Sequence, residues 1–232
     1  IRERDEAPDE KFQNTNIIEI TKLAKREKLF GKTYNDLFIA IRKEHTELVR
    51  LLEIYMDGYV FKLPIKGIKH IHNSYDAVLS FNYTCTYTQH YKADIECCYI
   101  HGKADLDKPE TNMVLGFDDH YKVNDDLLAD LIPYEKFFQR LVHKTDNKYL
   151  EWINTMKSEK DNIVEIYGHS LAPADGDILQ SFFELPNTHV HIFYLDETDR
   201  YNKLKNITSI LGADKTIELV GGLTPKITFD LI

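Results

Sequence analysis

Three short motifs carry the residue types that could do chemistry, and each follows a β-like run. Residues 77–81 lead into Asn82-Tyr83-Thr84, residues 97–100 into His101-Gly102, and residues 163–167 into Gly168-His169-Ser170-Leu171. The Asn82 amide both donates and accepts hydrogen bonds, so it can orient a water or a ribose hydroxyl. The His101 imidazole can take up a proton near neutral pH. Gly102 would let a ligand come close to the backbone, and Gly168 with Ser170 suits a turn that contacts ribose or phosphate. In an open parallel sheet the carboxyl ends of the strands form the crevice where ligands bind. Three such ends would place an amide, an imidazole and a glycine-hydroxyl turn around one cleft, which suits a nucleotide.

Each motif also has a plain structural reading. Asn82 can bond its own backbone in a turn, and His101 is one of ten histidines. Residues 168–172 approach the G-x-S-x-G nucleophile elbow of α/β-hydrolases, in which Ser170 would be the nucleophile. The fifth position is Ala172 and Pro173 follows, so the full elbow is not met. Asp175 and Asp177 stand where a helix begins, and acids there are favoured by the helix dipole. Gly116-Phe117-Asp118-Asp119 reads as a turn after a strand. His189 and His191 interleave with apolar residues as one face of a strand, and no metal site is expected.

The elements that must hold these motifs read as follows. The first ten residues form a polar segment, and residues 15–30 have no firm period. From Thr33, a candidate cap, to Tyr55 the pattern is helical, with Tyr34, Leu37, Phe38, Ile41, Leu48, Leu52 and Tyr55 near one stripe and Met56-Asp57-Gly58 as the stop. Residues 77–81 form a short apolar strand of the kind covered on both faces. Further strands are expected near 96–100 and 113–115, and one or two helices over 127–156, broken near Thr145-Asp146-Asn147, with Pro133 in a first turn. Then come a strand at 163–167, a helix at 175–184, a strand at 190–195, a helix at 199–211 ending at Gly212, and a strand at 216–220. This alternation predicts an α/β fold with a parallel Rossmann-like sheet and helical insertions. The expected division is an N-terminal polar and helical region, 1–75, and an α/β domain, 76–232, with a helical insertion at about 122–158.

Bulk properties narrow the function. A chain of 232 residues with 43% hydrophobic and 29% charged residues has an ordinary globular composition, enough for one α/β domain. The formal net charge of −9 argues against a general nucleic-acid binder, which presents a basic face. Cys85, Cys97 and Cys98 are odd in number and lack metal spacing, which fits reduced thiols and a cytoplasmic setting. No apolar run of about 18 residues predicts a membrane span.

Taken together and in order, the motifs Ser80-Phe81-Asn82-Tyr83-Thr84, Ile100-His101-Gly102, Leu115-Gly116-Phe117-Asp118-Asp119 and Gly168-His169-Ser170-Leu171, followed by Asp175, Asp177, Ile178 and Leu179, resemble the AbiH-type bacteriophage abortive-infection proteins. Phe137-Phe138-Gln139-Arg140 is similar to that family's helical region. The resemblance covers roughly residues 76–211. It implies a branch of the sirtuin-like fold and NAD as ligand or substrate. Asn82 and His101 would then be the catalytic pair beside the nicotinamide ribose. Phe81, Thr84, Gly102, Gly168, His169, Ser170, Asp175 and Asp177 would line the nucleotide. The family normally opens with a strand and a Gly-Asn-Gly-Phe-Asp loop for the pyrophosphate. No such loop occurs in residues 1–75, and a truncated start is expected. The usual acid after Thr84 is replaced by Cys85. The resemblance implies an antiphage effector that hydrolyses NAD, with a phage-derived activator or a defence partner protein and a homo-oligomer as its expected company. The alternatives are a non-catalytic nucleotide-sensing or scaffolding module and a serine hydrolase using Ser170.

Overall fold

The computed structural model describes residues 34–64, 75–117, 131–159 and 161–232. The expectations for residues 1–30, the Thr33 cap and Asp118-Asp119 lie outside those residues. Two parallel sheets form the frame. In the first, β1 (Ala77–Ser80) pairs with β2 (Glu96–Tyr99), with Ala77 opposite Glu96 and Ser80 opposite Tyr99. In the second, β3 (Asn162–Ile166), β4 (Thr188–Tyr194) and β5 (Ile227–Leu231) lie in that order, all parallel. The fold is the expected parallel α/β arrangement, with helices between successive strands.

Seven α-helices are described. They are α1 (Tyr34–Gly58), α2 (Thr86–His90), α3 (Lys136–His143), α4 (Tyr149–Met156), α5 (Gly176–Phe183), α6 (Glu197–Leu211) and α7 (Ala213–Val220). Among the described residues no helix is long and apolar enough to cross a membrane. The main core lies between the second sheet and α5, α6 and α7, where Leu179, Phe183, Val190, Ile192, Ile207, Leu219 and Ile227 are buried. A second cluster of Ile100, Ile153, Ile178, Phe182 and Leu185, with Leu79, Phe81 and Val164 against it, joins the two sheets. Helix α5 serves both: Leu179 and Phe183 face one cluster, and Ile178 and Phe182 the other. These side chains fall at helical spacing on adjoining stripes, so the start of α5 is fixed against both sheets.

Several expectations are corrected. Residues 216–220, read as a strand, belong to α7. Thr216 and Leu219 are its buried residues, a helical interval that outweighs the β-branched content of the run. Gly212, at φ +80°, divides α6 from α7, and the last strand comes after Gly221-Gly222, at Ile227–Leu231. Strand β1 is half-buried along its length, so it is not enclosed on both faces by the described residues.

Residues 113–115 make no ladder, because other groups take their backbone bonds. Val114 N–H donates to the His101 carbonyl at 2.9 Å and the Tyr83 hydroxyl donates to the Val114 carbonyl at 2.5 Å. The Gln139 amide clamps Leu115, accepting from its N–H at 3.0 Å and donating to its carbonyl at 2.9 Å. A buried backbone group must be paired, and a side-chain amide satisfies it as well as a neighbouring strand does. Gln139→Leu keeps the bulk and removes both bonds. It is expected to cost about 1–3 kcal/mol for the stranded N–H, measured by urea unfolding; a loss within about 0.3 kcal/mol would show that Leu115 finds another partner.

The face of α1 that packs is also rotated from the expected stripe. Phe38, Val49 and Glu53 are buried, whereas Ile41, Leu48 and Tyr55 are exposed. Polar anchors set the rotation. Glu53 accepts from Arg50 at 2.5 Å and from the backbone N–H of Asp105 at 3.2 Å, and His45 Nε2 lies 2.7 Å from the Leu115 carbonyl. Hydrophobic spacing alone does not register such bonds. Of the one or two helices expected over 127–156, the described residues hold two, α3 and α4, and residues 127–130 lie outside them. The pair is entered through a 3₁₀ turn with Pro133 in its first positions and interrupted after α3 by Lys144 in the left-handed region, φ +50°.

Candidate functional site

The carboxyl ends of β1, β2 and β3 converge on one side chain, Asp175. It sits just before α5 in the N-cap position, yet its carboxylate does not cap the helix. Asp175 Oδ1 lies 2.9 Å from His101 Nε2 and 2.9 Å from Lys136 Nζ, and Oδ2 lies 3.4 Å from His169 Nε2. His101 follows β2, His169 follows β3 and Lys136 opens α3. The Phe81 ring, at the end of β1, is wedged beside both imidazoles, 4.3 Å from His169 and 5.6 Å from His101 between centroids. Asp175 is 4% exposed and His101 3%, so this is a buried charge with its partners around it, the only economical way to bury a carboxylate.

The hydrogen bonds fix how the protons are placed. The Leu171 N–H donates to His169 Nδ1 at 2.9 Å. Nδ1 of His169 is therefore the acceptor, and its proton sits on Nε2, facing Asp175. Leu171 takes φ +57° to aim that N–H back, a conformation that costs an L-residue roughly 1–2 kcal/mol. For His101, a lone pair on Nε2 at 2.9 Å from a carboxylate oxygen would be repelled, so Nε2 carries the proton there too. The ring turns that N–H off the direct line to Oδ1, so the contact is an electrostatic one rather than a directed hydrogen bond. Nδ1 of His101 is buried with no partner among the described residues.

Burial holds the His101 pKa below the ordinary histidine value, aided by the charges of Lys136 and Arg140, and the pull of Asp175 in the other direction does not overcome it. His101 is thus neutral at pH 7. For Asp175 burial alone would push the carboxyl up. The contacts from His101 and His169 and the charge of Lys136 outweigh it, and the group stays well below the usual carboxylate range.

The other residues singled out in the sequence are placed as follows. Asn82 is exposed beside Phe81, and among the described residues only its backbone groups engage, with Ser80 Oγ. Thr84 is half-buried with its hydroxyl 2.9 Å from that of Thr86. Gly168, φ +63°, has open space where a Cβ would stand. Ser170 is exposed, and its carbonyl accepts from Asn206. Gly102, φ +76°, is required by its own chain: a Cβ there would lie 2.1 Å from the Asn112 carbonyl oxygen. Asp177 is half exposed and pairs with the buried Arg140, whose Nη1 has no partner among the described residues.

So Phe81, His101, His169 and Asp175 come together in contact. Asn82, Gly168 and Ser170 stand at the adjoining strand ends, and Thr84, Gly102 and Asp177 serve local structure. Sequence reasoning missed Lys136 as a site residue. The available signal was a basic pair at helical spacing, Lys136 and Arg140, meeting the acidic pair Asp175 and Asp177. Both ring nitrogens of His169, the imidazole next to Ser170 in the chain, are occupied, one by the Leu171 N–H and the other by Asp175. No group of three or more His, Cys, Asp or Glu side chains able to hold a metal occurs among the described residues.

The family model described as bacteriophage abortive infection AbiH matches residues 9–196. The chain belongs to this family. The matched AbiH span contains every residue of the Asp175 cluster and all three strand-end motifs, whereas α6, α7 and β5 lie beyond it. Searches of curated proteins and of solved structures returned no match. Membership in AbiH supports a role in phage abortive infection.

Proposed function

We propose that the protein is an abortive-infection effector that binds NAD at the carboxyl ends of β1, β2 and β3 and hydrolyses it to nicotinamide and ADP-ribose. The observation that carries this reading is His101, a neutral, buried imidazole at a strand end whose Nδ1 has no partner among the described residues, beside an exposed Asn82 and the turn at Gly168. The NAD assignment itself rests on the resemblance of these motifs to sirtuin-like proteins. In the reaction, water adds to the ribosyl carbon as the bond to the nicotinamide nitrogen breaks. That electron pair stays on nicotinamide, which leaves neutral, through an oxocarbenium-like transition state. The proton lost by the attacking oxygen passes to His101 Nδ1, a general-base step typically worth 10²–10⁴-fold. Asn82 orients the water or the ribose hydroxyls. Gly168, His169 and Ser170 hold the nucleotide, and loss of NAD arrests the infected cell.

The expected result is nicotinamide release by the purified protein incubated with NAD, with phage lysate added in a parallel reaction as the source of an activator. Asn82→Ala should reduce that release about 100-fold and abolish protection of cells against phage, while leaving the unfolding midpoint in place because the side chain is exposed. Protection by Asn82→Ala equal to that of wild type would sink the hydrolase reading. The burial of both His101 ring nitrogens favours a second reading, a nucleotide sensor without turnover. Calorimetric binding of NAD or ADP-ribose without nicotinamide release would select it. Among the described residues, the occupation of both His169 nitrogens speaks against a serine-hydrolase mechanism at Ser170.

A further inference from the structure

We infer that Asp175 is a positioning residue and not a nucleotide ligand: its two carboxylate oxygens face Nε2 of His101 and of His169, favour the Nε2–H tautomer of each by charge and leave Nδ1 of His101 as the free lone pair. The kinetic arm of this inference rests on the NAD reading above; its structural arm does not. Four observations carry it. Asp175 is buried and already surrounded by Lys136, His101 and His169, so a ligand has no free carboxylate oxygen to meet. Its two oxygens point to different imidazoles, Oδ1 to His101 and Oδ2 to His169. The tautomer of His169 is fixed independently by the Leu171 N–H. Neither ring nitrogen of the buried His101 has a hydrogen-bond partner among the described residues, but Nε2 faces the Asp175 carboxylate at 2.9 Å, so the anion favours the proton on Nε2 and leaves the lone pair on Nδ1.

A carboxylate suits this duty and an amide does not. Two imidazole N–H groups approach it from two sides, and both oxygens accept. Asparagine offers one oxygen and one NH₂ group, so one imidazole would meet a donor. The charged groups facing His101 are Asp175 before α5, and Lys136 and Arg140 on α3. Removing Asp175 or Lys136 should therefore move the titration of His101 in opposite directions, which a merely space-filling role would not do.

The test uses the full chain and its Asp175→Asn and Lys136→Met variants. Long-range proton–nitrogen correlation spectra of wild type should show both His101 and His169 as Nε2–H. In Asp175→Asn one of the two rings should change tautomer, and the His101 titration midpoint should fall by about one unit or more. In Lys136→Met the midpoint should rise, and this variant carries the test where Asp175→Asn does not fold. In Asp175→Asn calorimetric binding of NAD should stay within about threefold of wild type, while nicotinamide release falls about 100-fold. An Nδ1–H tautomer for His101 in wild type, or a midpoint unmoved in both variants, overturns the inference. A tenfold or greater loss of NAD binding in a folded Asp175→Asn overturns it too, by making Asp175 a ligand contact. If wild type binds NAD but releases no nicotinamide, the hydrolase reading fails, and the spectra still decide the role of Asp175.

Discussion

Gly102→Ala is expected to destabilise the protein by about 2–5 kcal/mol and to displace His101. Two costs combine. The backbone holds φ +76° at Gly102, which an L-residue adopts at roughly 1–2 kcal/mol. The new Cβ would stand 2.1 Å from the Asn112 carbonyl oxygen and 2.6 Å from its carbon. Both are backbone atoms, so the loop must move, and overpacking of this kind costs about 1–3 kcal/mol. The loop is not free to move alone. Asn112 Oδ1 accepts from the Lys103 N–H, and the His101 carbonyl holds the Val114 N–H. A shift at Asn112 is therefore passed to both sides of His101. Gly168→Ala is the internal control. Its φ of +63° is similar, and no described residue lies within 4 Å of the new Cβ, so it should cost only the conformational part, about 1–2 kcal/mol. Urea unfolding of the two variants checks this. Equal losses would mean that the Asn112 contact yields easily and that Gly102 is there for its conformation alone.

The contrast between those two glycines shows what the sequence makes legible. Each ends a β-like run beside a candidate polar residue, and both read as room for a ligand. Only the packing of residues 103–112 back onto Gly102 separates them, and that loop has no periodicity to read. The strands β1 to β4 were visible because a short apolar run between turn residues has few other interpretations. The fifth strand was misplaced because residues 216–220 are β-branched and apolar yet sit on a helix whose buried interval is three. At the site, His101, His169 and Asp175 were each visible, but as separate strand-end and cap residues. What joins them is the docking of α5 between two cores, a long-range contact that spacing does not encode. The helix dipole was reason enough for an acid at position 175, and it concealed the stronger one. Lys136 carries only a weak local mark, its helical spacing with Arg140, and it matters because α3 starts beside Asp175.

Asp175→Ala should cost about 3–5 kcal/mol at pH 7, the usual result of removing one partner from a buried ion pair. The loss is not the Coulomb energy of the pair. Lys136 remains largely buried without its counter-charge, and the two imidazole N–H groups lose the anion they face. The effect also has a pH dependence whose sign follows from the direction of each shift. The folded pKa of Asp175 lies below the unfolded value of about 3.9. Its contribution is thus complete above that value and fades as pH falls towards the folded pKa. His101 is held below its unfolded value of about 6.5. The unfolded chain then takes up a proton that the folded chain refuses, and wild-type stability declines as pH drops below about 6.5. Two stages of acid destabilisation are expected, the first from His101 and the second from Asp175. Asp175→Ala abolishes the second. It also deepens the first, because His101 loses the anion that favoured its protonated form. The difference between wild type and variant should therefore be largest between pH 4 and 7 and shrink below pH 4. Urea unfolding at a series of pH values measures it. A difference under about 1 kcal/mol at pH 7 would mean that Lys136 and the two histidines find solvent or other partners, and that Asp175 does not organise the site.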